Sequence, residues 1–214
     1  MNRWVLLLLL LAWPGLSSAQ DAGRFVVTRE NDTVAVEEYA RDSAGLRGTL
    51  VRVTGTDTRE RLRYHATVLP DQSAPLLEVS AWRAADPEGM PARQTARVVF
   101  KEDSVAVDDV SRWGGVLTRI LPTTRAAIPY LNLSTAWLEL ATRRTAGDRA
   151  GSESVPFFNL GGGQTIEGRV WRLGADSTAI RIGTVEFQFQ VDSVGRILGG
   201  RVPAQRLLIS RSPG

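Results

Sequence analysis

The sequence predicts an all-β, mainly antiparallel fold: a curved sheet or unclosed barrel of about eleven or twelve strands with one covering helix. Three observations lead there. Apolar and polar residues alternate with period two over most of the chain, the pattern of strands buried on one face. Turn-forming clusters of Gly, Asn, Asp and Pro recur at spacings of roughly ten residues. One stretch alone, Ser134 to Arg144, carries apolar residues at convincing helical spacing.

The first residues have a different character. Arg3 precedes an unbroken apolar run from Trp4 to Trp13, followed by Pro14-Gly15 and the small residues Ser17-Ser18-Ala19. This is the layout of a cleavable secretory signal peptide over residues 1–19. The apolar run is shorter than the roughly 20 residues needed to span a bilayer. No cysteine follows that could carry a lipid anchor. The expectation is a periplasmic or secreted protein with no transmembrane segment in the mature chain. Residues 20–214 read as a single β-rich domain, with a possible division near residues 111–152.

Each element then follows from its own residues. Phe25 to Thr28 and Thr33 to Tyr39 flank Asn31-Asp32, a turn signal, and read as an opening hairpin. Asp42 to Gly45 turns into Leu46 to Thr54, and Gly55-Thr56-Asp57 turns into Arg61 to Leu69. There Leu62, Tyr64, Ala66 and Val68 share one face, while Arg61, Arg63, His65 and Thr67 share the other. Leu76 to Arg83 is the next strand, and the Pro- and Gly-containing stretch Ala84 to Pro91 an exposed loop. Ala96 to Phe100 and Val105 to Val107 flank the turn Lys101 to Ser104.

Trp113-Gly114-Gly115 opens a segment that reads as irregular through Pro122 and Pro129. In the predicted helix Ser134 is the N-cap. Leu133, Trp137, Leu140 and Ala141 form its apolar stripe, and Glu139, Thr142 and Arg143 face away from it. Strands resume at Ser154–Asn159, Thr165–Leu173, Ser177–Ile182, Val185–Val191, Arg196–Val202 and Gln205–Ser210.

Composition excludes much chemistry. The chain has no cysteine, which removes cysteine nucleophiles, thiol redox reactions and zinc–cysteine sites. Of 26 basic residues only Lys101 is a lysine, and acidic residues nearly balance them, leaving a formal charge of +3. The arginines are spread along the strands, where a nucleic-acid binder would cluster them, so no nucleic-acid partner is expected. His65 is the single histidine and shares its strand face with Arg61 and Arg63, a solvated surface. Glu37 and Glu38 are adjacent on a strand and point to opposite faces, so they cannot act jointly as acid and base. Asp108-Asp109 lacks the spacing of a calcium loop. Asp42-Ser43-Ala44-Gly45 reads as a β-turn, and Gly161-Gly162-Gly163 precedes a strand where a phosphate loop would precede a helix. No catalytic residue, metal ligand or cofactor is assigned.

The aromatic residues remain. Trp113, Tyr130, Trp137, Trp171, Phe187 and Phe189 either pack a core or line an apolar cavity between curved sheet and helix. They are the candidate ligand-binding residues, with Trp113, beside Gly114-Gly115, placed to line a mouth.

The segment Pro129-Tyr130-Leu131 ahead of one helix, and the tail VDSVGRILGGRVPAQRLLISR, are similar to those of uncharacterised secreted bacterial β-rich proteins. In that tail Asp192 and Gly195 make the turn, and Pro203 and Arg211 flank the last strand. Together with the signal peptide and the N-terminal meander, the layout distantly resembles the periplasmic lipoprotein-carrier fold, an unclosed β-barrel with helices over a hydrophobic mouth. The resemblance implies a fold and a hydrophobic ligand; it carries no catalytic residue.

The functional expectation is a non-enzymatic exported protein whose curved sheet binds an apolar ligand, such as a lipid or acyl chain, or a cell-envelope partner. The alternatives are a hydrolase using paired carboxylates and a structural or accessory adaptor with a free sheet edge.

Overall fold

A computed structural model describes residues 21–43, 45–54, 58–147 and 151–213. The signal segment and the turn at Gly55–Asp57 lie outside the described residues. The strands are β1 (Asp21–Arg29), β2 (Asp32–Arg41), β3 (Gly45–Thr54), β4 (Thr58–Thr67), β5 (Leu76–Arg83), β6 (Gln94–Phe100), β7 (Ser104–Ser111) and β8 (Val116–Pro122). After β9 (Ile128–Tyr130) and the helix α1 (Leu138–Thr145) come β10 (Ser152–Asn159), β11 (Gln164–Arg172), β12 (Ser177–Ile182), β13 (Val185–Val191), β14 (Ile197–Val202) and β15 (Leu207–Pro213).

All fifteen strands belong to one sheet in the order β8-β7-β6-β5-β4-β3-β2-β1-β15-β14-β13-β12-β11-β10-β9. The first and last strands pair at its centre, Gly23 to Arg29 against Pro213 to Leu207. The two edges, β8 and β9, both come from mid-chain. Every neighbouring pair is antiparallel except β9 with β10. The all-β, mainly antiparallel class with a single helix is as the sequence predicts, but with fifteen strands in place of eleven or twelve.

The additional strands, β8 and β9, fall in the segment that reads as irregular. In β8 the sequence Val-Leu-Thr-Arg-Ile-Leu-Pro puts apolar residues on both faces, so period-two alternation disappears. β9 carries Pro129, which lacks an N–H and suits an edge strand.

The sheet curls until its edges approach without pairing. The Thr165 hydroxyl, on β11, donates to the Pro122 carbonyl at 3.1 Å and lies 2.7 Å from the Thr123 hydroxyl. The β10–β11 turn thus sits beside the end of β8, and the barrel remains unclosed. Its two ends differ. The turns β1–β2, β5–β6, β7–β8 and β10–β11 gather at one end. At the other, α1 acts as a plug. Arg144 donates to the carbonyls of Asp71 (3.2 Å) and Ala126 (2.8 Å), and the Thr142 hydroxyl donates to the Gly195 carbonyl at 2.6 Å.

The helix is shorter than the predicted 134–144, and two of its assignments are corrected. Ser134 is not its N-cap: the hydroxyl donates to the Glu37 carboxylate on β2, and helical geometry begins at Leu138. Glu139 and Thr142 do not face solvent but are buried with Leu138, Leu140 and Ala141. An eight-residue helix is marginal in isolation. The first five residues of this one, Leu138 to Thr142, are buried, so packing stabilises it.

Inward-facing residues alternate as expected along β4, where Leu62, Tyr64 and Ala66 are buried and His65 is exposed. The Tyr64 ring lies over Gly48 on β3, packs on Trp137 (centroids 5.2 Å apart) and points its hydroxyl at Glu37. A Cβ at Gly48 would overlap that ring and stand 2.6 Å from the Glu38 carbonyl oxygen. Gly48→Ala is therefore expected to cost about 1–3 kcal/mol, the range for overpacking. Urea denaturation with an unchanged slope would establish it; a wild-type midpoint would refute it.

Candidate functional site

Polar residues enter the interior from β2. Ala35, Glu37, Tyr39 and Arg41 point inward in alternation, so a polar series runs through an otherwise apolar face. Glu37 is 1% exposed. Its carboxylate accepts the Tyr64 hydroxyl at 2.8 Å, the Ser134 hydroxyl, and the backbone N–H groups of Thr135 (2.7 Å) and Ala136 (2.9 Å). Those amides would otherwise be orphans ahead of the helix. Burial pushes the Glu37 carboxyl above its usual range, against the opposing pull of these four bonds. The chemistry is that of a tether: a carboxylate from the sheet holds the segment 131–137 across the barrel interior.

This crossing segment divides the inside. On the β13–β15 side the space is filled, with Phe187 and Phe189 stacked at 6.0 Å and only about 20 Å³ left among Leu133, Leu138, Val202 and Leu207. On the β4–β8 side a cleft of about 270 Å³ remains. Its walls are Leu62, Val79, Ala81, Ala96, Val98 and Val107 from the sheet, faced by Leu131, Phe158 and Leu160.

Two ion pairs border it. Arg52 meets Glu60 at 2.8 Å and Arg119 meets Asp109 at 2.6 Å, with Gln94 donating to Asp109 at 3.2 Å. Arg52 also donates to the Asn132 carbonyl, anchoring the crossing segment. The cleft opens at the end opposite α1, beside Gly161 and Gly163 of the β10–β11 turn and Arg119 of β8. Its size is at the lower edge of the roughly 300–1,000 Å³ usual for small-ligand sites, and its surface is shared about equally between the aliphatic wall and the polar groups of Arg52, Glu60, Gln94, Asp109 and Arg119.

At the plugged end lies a second polar cluster. Glu139, 1% exposed, accepts Arg143 Nε at 2.8 Å and the Ile197 N–H at 2.9 Å. Asp21 bonds Arg143 and accepts Arg211 at 2.8 Å. Arg211 in turn lies over the rings of Phe25 and Tyr39. Burial depresses the Arg41 guanidinium, and Arg143 adds to the effect.

The six candidate aromatics are dispersed. Trp137 is fully buried against Tyr64, and Phe187 and Phe189 belong to the filled half. Trp171 lies on the outer face, its ring 5.3 Å from the Arg181 guanidinium. Tyr130 is half-buried on edge strand β9, and burial raises its phenol pKa. Trp113 is 90% exposed in the β7–β8 turn. The cleft is lined instead by small and branched aliphatic residues, together with Phe158. Glu37 and Glu38 do take opposite faces, buried and exposed respectively. Among the described residues, no group of three or more His, Cys, Asp or Glu is placed to hold a metal ion, and no helix is long and apolar enough to cross a membrane.

No protein-family model matches the chain. No curated protein matches it in sequence. Solved structures do resemble it. A DUF1089 family protein from Pseudomonas aeruginosa is 12% identical with a TM-score of 0.57, over 94% of this chain and 97% of that one. A β-barrel-like protein of the domain of unknown function DUF1849 from Brucella abortus is 8% identical with a TM-score of 0.54, over 91% and 97%. At these identities the likeness is one of fold: the chain shares a β-barrel-like architecture with bacterial proteins of unknown function.

Proposed function

We propose that this chain is an exported, non-enzymatic binding protein that holds the apolar tail of a lipid or fatty acid in the cleft between β4–β8 and the crossing segment. The observation that supports the reading is the asymmetry of the interior. One half is packed solid, while the other keeps a cleft that has an aliphatic wall on one part and two arginine–carboxylate pairs with Gln94 on another, an amphipathic lining. Arg52 and Arg119 stand where the polar head of an amphiphile would rest once its tail lies along Val79, Ala96 and Val107. The apolar run at residues 4–13 supports export.

Delipidated protein is expected to bind a fluorescent fatty acid such as cis-parinaric acid with saturable enhancement. Ala96→Trp, which fills the cleft from β6, should weaken that binding at least tenfold while leaving the melting temperature near wild type. No saturable binding by the wild type, or equal binding by the variant, would overturn the proposal.

A further inference from the structure

The end of the sheet where the cleft opens has an unusual surface. Trp113 stands 90% exposed on the β7–β8 turn, held by Ser111 N–H to the Gly115 carbonyl (2.9 Å) and Gly114 N–H to the Ser111 carbonyl (3.0 Å). Gly114 has φ +84°, a conformation that favours glycine. Val116 and Leu117 follow it, 65% and 58% exposed. The neighbouring β5–β6 loop presents Met90 and is tied to this turn: Arg112 N–H donates to the Arg93 carbonyl at 2.9 Å, and the Arg112 guanidinium bonds the Pro91 carbonyl. Apolar side chains therefore project from two braced loops, where unconstrained polar residues would be expected.

Charge surrounds them. Arg59, Arg83, Arg93 and Arg112 lie on this rim against Asp86 and Glu88, and at the cleft beside it Arg52 and Arg119 are paired with Glu60 and Asp109, so the basic residues stay in excess. Asp86 is itself engaged by Arg93 at 2.9 Å. The groove lined by Gln94, Asp109, Val116 and Leu117 shares Gln94 and Asp109 with the cleft, so the projecting loops stand at its mouth.

We infer that this rim docks on an anionic phospholipid bilayer, with Trp113 and Met90 entering the interfacial layer and the arginines meeting lipid phosphates. Tryptophan favours the membrane–water interface, and basic side chains are drawn to anionic headgroups. A convex, two-loop projection suits a deformable lipid surface better than a flat protein face. The inference builds on the lipid-binding reading of the cleft, because docking here would place the mouth against the acyl layer.

The test is co-sedimentation of the mature protein with phosphatidylethanolamine–phosphatidylglycerol vesicles, compared with phosphatidylcholine vesicles. Wild type should partition to the anionic vesicles, and brominated phosphatidylglycerol should quench a tryptophan emission component that Trp113→Ser lacks. The double variant Trp113→Ser, Met90→Ser should partition about tenfold less or weaker still, while keeping wild-type cis-parinaric acid binding as evidence of an intact fold. Equal partitioning by the double variant, or none by wild type, overturns the docking surface. So does a wild-type dimer that the double variant renders monomeric, which would make the rim an interface between copies. Vesicle binding without cis-parinaric acid binding would sustain the docking surface and remove the cleft reading; the reverse would remove the docking surface alone.

Discussion

Replacing Glu37 by alanine is expected to cost about 3–5 kcal/mol of folding stability, from buried donors left unsatisfied at about 1–3 kcal/mol each together with the lost packing. The change leaves the hydroxyls of Tyr64 and Ser134 and the amides of Thr135 and Ala136 without their acceptor. The hydroxyls can rotate towards other partners, but the amides cannot. Glu37→Gln should therefore be milder, about 1–2 kcal/mol, because its carbonyl can serve the two amides while the hydroxyls accept from its NH₂.

The pH dependence carries a definite sign. Burial raises the Glu37 pKa above 4.5, so the folded state binds this proton more tightly than the unfolded state does. The stability contributed by this titration is fully present below 4.5 and is lost as pH rises through the raised folded value. Urea denaturation should show the advantage of wild type over Glu37→Gln greatest in mild acid and shrinking towards neutral pH. A gap that widens with rising pH would mean that the four hydrogen bonds outweigh desolvation.

The tether also shows what was legible in the sequence and what was not. Period-two alternation placed most strands, because a half-buried strand writes its own geometry into consecutive residues. It even puts Glu37 in phase with Ala35 and Tyr39, a polar residue on an inward face and thus a local inconsistency worth pursuing. The partners of Glu37 were illegible, since Ser134 to Ala136 lie about a hundred positions away and contact depends on how the sheet curls. The same cause hid the true start of α1. Ser134 has the chemistry of an N-cap, but a carboxylate from another element took over the capping role. In β8, apolar residues on both faces erased the alternation: Leu121 faces the interior and Ile120 remains 71% exposed at the sheet edge.

The cleft was hidden for a different reason. Large aromatic rings attract attention in a sequence, but in a packed interior they occupy space. Trp137, Phe187 and Phe189 are where the protein is most solid. Free volume instead follows the smaller side chains Val79, Ala81, Ala96 and Val98 on β5 and β6, which in sequence read as ordinary strand residues. Gly114-Gly115 marked the turn that carries Trp113, but the ring projects outward and does not line the cleft.

Glu139→Ala is the second substitution expected to be severe, at about 3–5 kcal/mol. The change removes the acceptor of the Ile197 N–H, the helix-borne partner of Arg143, and a carboxylate 3.6 Å from Arg211. Asp21 would then face Arg143 and Arg211 alone while sharing Arg196 with Asp192, with Arg41 nearby, 9% exposed and with one guanidinium nitrogen lacking a hydrogen-bond partner. Burial works to lower the Arg143 pKa, but Glu139 and Asp21 outweigh it and hold the guanidinium above its ordinary value, so losing Glu139 leaves Asp21 alone to offset the cost of burial. If uncompensated cationic charge is the cause, Arg41→Leu should rescue part of the loss. In the Glu139→Ala background it is expected to be more favourable by at least about 1 kcal/mol than in wild type, a coupling of the size seen for neighbouring groups. Strict additivity in that double-mutant cycle would show that the damage lies in the orphaned Ile197 amide and the lost packing, with no contribution from charge balance in the plug.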